Sequence, residues 1–261
     1  MITVKFLGTC SGAAPTIDMH HSSLVIEVNG VNYWFEAGEN CGFYAHTSGI
    51  NVMNTKALFI SHTHIDHTGG LANLLHVMKK LVIKKGLNLI SNNTLKVFIP
   101  KKEILDCAVC LLNNGNNPIM QYNLEYNGVS DGVIFEDENV KVTALHNKHL
   151  GEDGANGWHS FSFSIEAEGK KIVFSGDVKK PYELDELIGD GCDYLIHETG
   201  HHKLQDVIDY ASTKNVKSLC FTHHGREIIF DRENSQKLVD ENVKKLGMPI
   251  KIAHDLMVEE I

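Results

Sequence analysis

The stretch Ser61-His62-Thr63-His64-Ile65-Asp66-His67 decides how this chain of 261 residues is read. Before it lies an apolar run, Lys56–Ser61, with the character of a strand. After it, Leu71, Leu74, Leu75, Met78, Leu81 and Val82 recur at the spacing of an amphipathic helix. On extended backbone His62 and His64 alternate, so both side chains point to one side. Asp66 and His67 fall at the turn into the helix, where an Asp is also a natural N-cap. Capping accounts for Asp66 alone and leaves three crowded histidines unexplained. Three imidazoles and a carboxylate so close together suit two adjacent divalent cations with nitrogen and oxygen ligands.

Four further segments end in residues of the same chemistry. Val173-Phe174-Ser175-Gly176-Asp177 closes in a Gly-Asp turn, and Leu219-Cys220-Phe221-Thr222-His223-His224 closes in histidine. Val142–Leu145 leads into His146-Asn147-Lys148-His149, and Tyr194-Leu195-Ile196 into His197-Glu198-Thr199. Each alone is weak, because a Gly-Asp turn is commonly only a turn. Together they place His or Asp at five strand ends, where loops gather into a site.

The order of elements extends this picture to the whole chain. Strands are expected at 2–7, 23–28 and 31–36, the last two joined by the hairpin turn Asn29-Gly30. A strand at 95–99, a helix at 101–112 and an Asn- and Gly-rich loop at 113–132 follow the first motif. Further strands are read near 140–146, 160–167, 170–175, 193–197 and 217–221, with helices near 182–189, 202–213 and 233–246. Hairpins alternating with helices in both halves predict an α/β (α+β) protein. Two mixed sheets would pack together under outer helices, a four-layer αββα sandwich. No linker or repeat divides residues 1–261, so a single domain is expected.

Composition narrows the function. The chain is 43% hydrophobic and 22% charged, as in ordinary globular proteins. Its apolar runs are too short to span a bilayer. The N-terminus has no basic region followed by an apolar core and cleavage site. A cytoplasmic protein with reduced thiols at Cys10, Cys41, Cys107, Cys110, Cys192 and Cys220 is therefore expected. Cys107 and Cys110 form C-x-x-C, but their apolar surroundings suggest a buried helix face. The net charge of −9 argues against broad nucleic-acid binding. The 16 histidines are compatible with metal ligation. His20, His21, His46, His76, His159, His202, His224 and His254 have no motif behind them and read as structural.

The ensemble resembles the metallo-β-lactamase superfamily over essentially the whole chain, through the H-x-H-x-D-H motif between strand and helix. Within it, the likeness is to the ribonuclease Z and phosphodiesterase branch. It is carried by Phe6-Leu7-Gly8-Thr9-Cys10-Ser11-Gly12 with Pro15 and Ser22-Ser23, by Phe35-Glu36-Ala37-Gly38-Glu39-Asn40 and by His197-Glu198-Thr199. The resemblance implies a metal-dependent hydrolase cleaving phosphodiesters through a hydroxide that bridges two divalent ions. Such a pair lowers the pKa of water from about 15.7 toward roughly 7. It implies one ion held by His62, His64 and His149, a second by Asp66, His67 and His223, and Asp177 bridging both. His146 stands as the alternative to His149. Glu198 and His201 would be supporting or proton-transfer groups, with His201 donating to the leaving oxygen; an ordinary structural role fits them equally. Zinc is the default for such donors, and manganese or iron would use the same ligands.

The chain also departs from ribonuclease Z. Residues 68–140 contain no evident Gly/Pro-rich basic insertion of the kind that grips tRNA, and Thr222-His223-His224-Gly225-Arg226 differs from the usual ending. A cyclic nucleotide or a short oligonucleotide is as reasonable a substrate as tRNA. A lactonase or thioesterase on the same fold is the alternative, although such enzymes place the third histidine in an H-T-P-G-H-type segment, unlike Asn147-Lys148-His149-Leu150. A homodimer is compatible with the resemblance.

Overall fold

Residue alternation builds the strands, and the layers follow from which faces are apolar. The computed structural model describes residues 1–12, 16–113, 120–152, 154 and 157–261. The first sheet contains β1 (Ile2–Gly8), β2 (Ser23–Val28), β3 (Val31–Phe35), β4 (Thr55–Phe59), β5 (Thr94–Phe98) and β6 (Asn123–Asn127). The second contains β7 (Gly132–Glu136), β8 (Lys141–His146), β9 (Phe161–Ala167), β10 (Lys170–Phe174), β11 (Tyr194–Glu198), β12 (Leu219–Thr222) and β13 (Ile250–Ile252). A last strand, β14 (Val258–Glu260), returns to the first sheet and pairs antiparallel with β1, opposing Glu260 to Thr3. The orders are β14-β1-β2-β3-β4-β5-β6 and β13-β12-β11-β10-β9-β8-β7. Both sheets are mixed: β3 to β6 and β10 to β13 run parallel, and the hairpins are antiparallel.

Aromatic side chains fill the space between the sheets. Phe35 stacks on Phe59 at 4.9 Å, and Phe59 on Phe98 at 4.9 Å. Phe163, Phe174 and Phe135 of the second sheet meet them edge-on at 5.7–6.0 Å. The outer face of the first sheet is covered by α1 (Cys41–Thr47), α3 (Leu71–Lys85) and α4 (Lys102–Leu112). Ahead of α3 lies the one-turn α2 (Ile65–Thr68). Leu71, Leu74, Leu75 and Met78 form the buried stripe of α3, which ends at Gly86 in the left-handed conformation. The other outer layer holds α5 (Asp185–Ile188), α6 (Leu204–Ser212), α7 (Arg226–Phe230) and α8 (Arg232–Leu246). Asp231 caps α8, its side chain accepting from Asn234 N.

The four-layer αββα sandwich is as expected, with local corrections. The stretch 113–132 is not one loop: Asn123–Asn127 forms β6, held parallel to β5. Tyr122, Leu124 and Tyr126 do alternate with polar residues, but the Asn- and Gly-rich surroundings give the stretch the character of a loop. Residues 114–119 of that stretch, and Pro15 of the N-terminal motif, lie outside the described residues. The C-x-x-C falls on α4, but Cys107 and Cys110 are exposed; Leu105 and Val109 take the inward face. Cys41, Cys192 and Cys220 are buried, and burial pushes their thiols up to about 12. No helix among the described residues is long and apolar enough to cross a membrane.

Leu74 is fully buried between α3 and the sheet, whereas Ile83 on the same helix is 47% exposed. Leu74→Ala is expected to cost about 2–5 kcal/mol in denaturant unfolding, and Ile83→Ala less than about 0.5 kcal/mol. Equal losses would mean that α3 is not packed as described.

Candidate metal centre

Parallel strands deliver their C-terminal loops to one edge. β10, β11 and β12 run parallel, so Asp177, Glu198 and His223 emerge together. β8 runs antiparallel to β9, which runs antiparallel to β10, so His149 emerges at the same edge. The first sheet joins there through a backbone hydrogen bond from Phe161 N to Ser61 O, 3.0 Å. This contact sets the H-x-H-x-D-H loop opposite the loops of the second sheet. Gly176 makes the crossing possible. Its φ is +52°, and a Cβ there would lie 2.8 Å from both Phe161 O and Ser61 Cβ.

The expected residues converge into three overlapping groups, one of them Asp177, His201 and His223. His62, His64, His149 and Asp177 each offer a donor atom within 4.8 Å of the others, and so do Asp66, His67 and His223. In the first group His62 Nε2 and His149 Nε2 lie 3.1 and 3.4 Å from His64 Nδ1. In the second, His223 Nε2 lies 3.2 Å from both His67 Nε2 and Asp66 Oδ2. Asp177 stands between them. Its Oδ2 is 3.7 Å from both His62 and His149, and its Oδ1 is 3.4 Å from both His67 and His223. His146 turns elsewhere, bonding Asp131 at 2.7 Å and stacking on Trp158. His149, not His146, therefore meets His62 and His64.

The donor set fits metal ions. His67 Nδ1, His223 Nδ1 and Asp177 Oδ1 are buried without a hydrogen-bond partner among the described residues. Buried polar atoms are rarely left so, because each unpaired one costs about 1–3 kcal/mol. His223 also carries a φ of +48°, uncommon for a residue with a side chain. Such strain persists only where the surroundings over-determine it.

Electrostatics bind the groups to one another. Burial would raise Asp177 and Asp66, yet the neighbouring His223 and His67 hold both carboxyls far below their ordinary range. Burial likewise opposes His223, but the charge of Asp177, the hydrogen bond to Asp66 and the nearby Glu198 carboxylate raise it to about 9. His62 is driven well below its usual value by burial and by the charge of His67.

Glu198 and His201 form a pair beside this cluster. His201 Nδ1 lies 3.0 Å from Glu198 Oε1 and 3.8 Å from Asp177 Oδ2. Against burial, the hydrogen bond from His201 and the His223 ring 3.7 Å away bring Glu198 down to about 2, while the bond to Glu198 raises His201. His64, Asp66, Asp177, His201 and His223 all line one open cavity of about 630 Å³.

Sequence reading assigned no part to Glu36. It is fully buried with φ +62°; its carboxylate accepts from Ser61 N at 3.2 Å and lies 3.4 Å from His67 Nδ1. It thus positions the loop and one ring at once. An acid in an otherwise apolar strand end was the available signal. Among the histidines read as structural, His224 is fully buried with Nε2 donating to Ala253 O at 2.7 Å, and burial holds it down to about 4.

Two measurements follow. Carboxylates that orient metal-binding histidines typically change affinity about 10–100-fold. Glu36→Gln is expected to weaken zinc binding in that range by chelator competition; unchanged affinity would leave Glu36 a purely structural residue. The second concerns His197, buried beside Glu198 with Nδ1 donating to the Glu198 carbonyl. Burial, partly offset by the Glu198 charge, lowers it from 6.5 to about 4. The neutral ring is the folded form, so its contribution is intact above 6.5 and lost as pH falls through 4. At pH 4.5 the loss is on the order of 2–3 kcal/mol. Denaturant midpoints should fall less between pH 7 and 4.5 in His197→Gln than in the natural protein.

Known proteins resemble this chain in sequence and in fold. The model of the family described as Anti-Pycsar protein Apyc1 matches residues 2–238. Ribonuclease Z of Brevibacillus brevis is 26% identical over 278 residues, covering 84% of each chain. Ribonuclease Z of Methanocaldococcus jannaschii is 26% identical over 303 residues, covering 97% of this chain and 95% of that one. Among solved structures, the metallo-β-lactamase fold protein YhfI from Bacillus subtilis aligns over 100% of this chain and 99% of its own, with TM-score 0.75 and 15% identity. The short form of human tRNase Z aligns over 99% of each chain, with TM-score 0.71 and 20% identity.

Proposed function

Since the chain belongs to the Anti-Pycsar protein Apyc1 family and carries the metallo-β-lactamase fold of the ribonuclease Z branch, we propose that it hydrolyses phosphodiesters with two divalent metal ions. It is a metal-dependent hydrolase of the phosphodiesterase-like class. The observation that carries the finer reading is the carboxylate of Asp177, with one oxygen toward His62 and His149 and the other toward His67 and His223.

His62, His64 and His149 would hold one ion, Asp66, His67 and His223 the other, and Asp177 both. When bound, the ions supply Lewis acidity, making a water acidic near neutral pH and offsetting phosphoryl charge. Zinc is the default occupant for these donors. The protein's own groups do the rest. Glu198 holds His201 through Nδ1, which favours the protonated ring and leaves Nε2–H to donate to the departing oxygen. The cavity of about 630 Å³ suits a cyclic nucleotide or the end of a short oligonucleotide.

The test is turnover of bis(p-nitrophenyl) phosphate by the metal-loaded protein, beside a lactone, a thioester, a cyclic nucleotide and a dinucleotide. Phosphodiester turnover is expected, with Asp66→Ala at least about a hundredfold slower while folding normally. Turnover of the lactone or thioester alone would sink the phosphodiesterase reading, and failure to bind metal on reconstitution would sink the metal centre.

A further inference from the structure

Two cations stand on the wall of the cavity that holds the histidine cluster. Lys203 lies two residues past His201 and Arg226 three past His223, and both line the cavity. Their loops are clamped together. A Cβ on Gly225 would lie 2.5 Å from Thr199 O and 3.0 Å from Gly200 Cα, and Leu204 N donates to Glu227 Oε2 at 3.0 Å. That bond joins the residue after Lys203 to the residue after Arg226, so the segments carrying the two charges are tied together beside the cavity.

Neither side chain has a hydrogen-bond or ion-pair partner among the described residues, although Glu227 is next in the chain. The contrast within the protein is informative. Of two arginines in the chain, Arg232 forms a two-bond pair with Asp18 at 2.6 and 3.1 Å, while Arg226 is left to the cavity. Exposed Lys148, Lys179 and Lys180, which stand one to three residues from His149 and Asp177, are also unpaired among the described residues. In a chain of net charge −9, free cations beside the cluster oppose the repulsion an anion would otherwise meet. An arginine's planar fork matches two phosphate oxygens, and one without a protein partner breaks no bond to take them.

We infer that Arg226 and Lys203 form an anion-capturing wall that selects substrates bearing a phosphate charge over neutral esters. This deepens the phosphodiesterase reading and rests on it for the reacting group, but it makes its own claim about binding. The probe is inorganic phosphate, titrated calorimetrically into the zinc-reconstituted protein. Arg226→Gln and Lys203→Gln should each weaken phosphate binding about tenfold. Zinc content should be unchanged, and the fall in affinity between about 50 and 300 mM salt should be shallower. Lys245→Gln removes an equal charge from the last turn of α8 and should bind as the natural protein does. Variants that bind phosphate unchanged, a natural protein that binds none, or an equal loss in Lys245→Gln would each overturn the inference. If the phosphate pattern holds but no phosphodiester is turned over, the wall stands and the phosphodiesterase reading falls.

Discussion

Asp177 is a buried carboxylate, and the rest of the site is arranged around making that tolerable. An ionised group out of water is costly unless opposite charge and hydrogen bonds surround it. Here imidazoles crowd both oxygens, and they come from both sheets: His62 and His67 from the first, His149 and His223 from the second. The two sheets are therefore joined at this edge by charge as well as by the aromatic layer behind it. The cluster can hold its shape only if both sheets are in place, which couples the integrity of the site to that of the whole sandwich.

Much of this was legible in the chain because the chemistry is locally concentrated. His62, His64, Asp66 and His67 announce themselves within one turn of sequence, and extended backbone puts the first two on one side. His149, Asp177 and His223 were readable only as residues at strand ends; the parallel order of β10, β11 and β12 is what gathers them. Resemblance already favoured His149 over His146, and Asp131, just before β7, takes the ring of His146 at the end of β8. Glu36 escaped because its task, holding Ser61 N and facing His67, spans a parallel strand pair that periodicity does not reveal. β6 escaped for a similar reason. Its alternation is only five residues long and sits among Asn and Gly, so pairing with β5 is what establishes Asn123–Asn127 as a strand. Cys107 and Cys110 show the opposite error, since an apolar neighbourhood along the helix does not say which stripe turns inward.

The cleft has two different kinds of polar group. Around Asp177 the charges are balanced against one another and buried, so they are fixed. On the rim, Lys203 and Arg226 are held by backbone but uncommitted in charge. Fixed groups position reacting atoms without reorganisation, and uncommitted ones attract what is to react. The spacing of the two sets along the same loops, two or three residues apart, keeps them in register.

The pairing of β14 with β1 bears on how such a chain reaches this state. Thr3 and Glu260 are partners, yet almost the full sequence separates them. Nearby, Asp255 accepts hydrogen bonds from Thr9 N at 2.9 Å and His20 N at 2.7 Å. Contacts so distant in sequence form late, because loop-closure entropy must be met before they contribute. During synthesis the β1 edge stays open until residues 255–260 have left the ribosome. Such an unpaired edge can recruit strands from other chains. The three-residue β14 thus replaces the seven-residue β1 as the edge of the first sheet, and molecules released before it is made would present the longer edge.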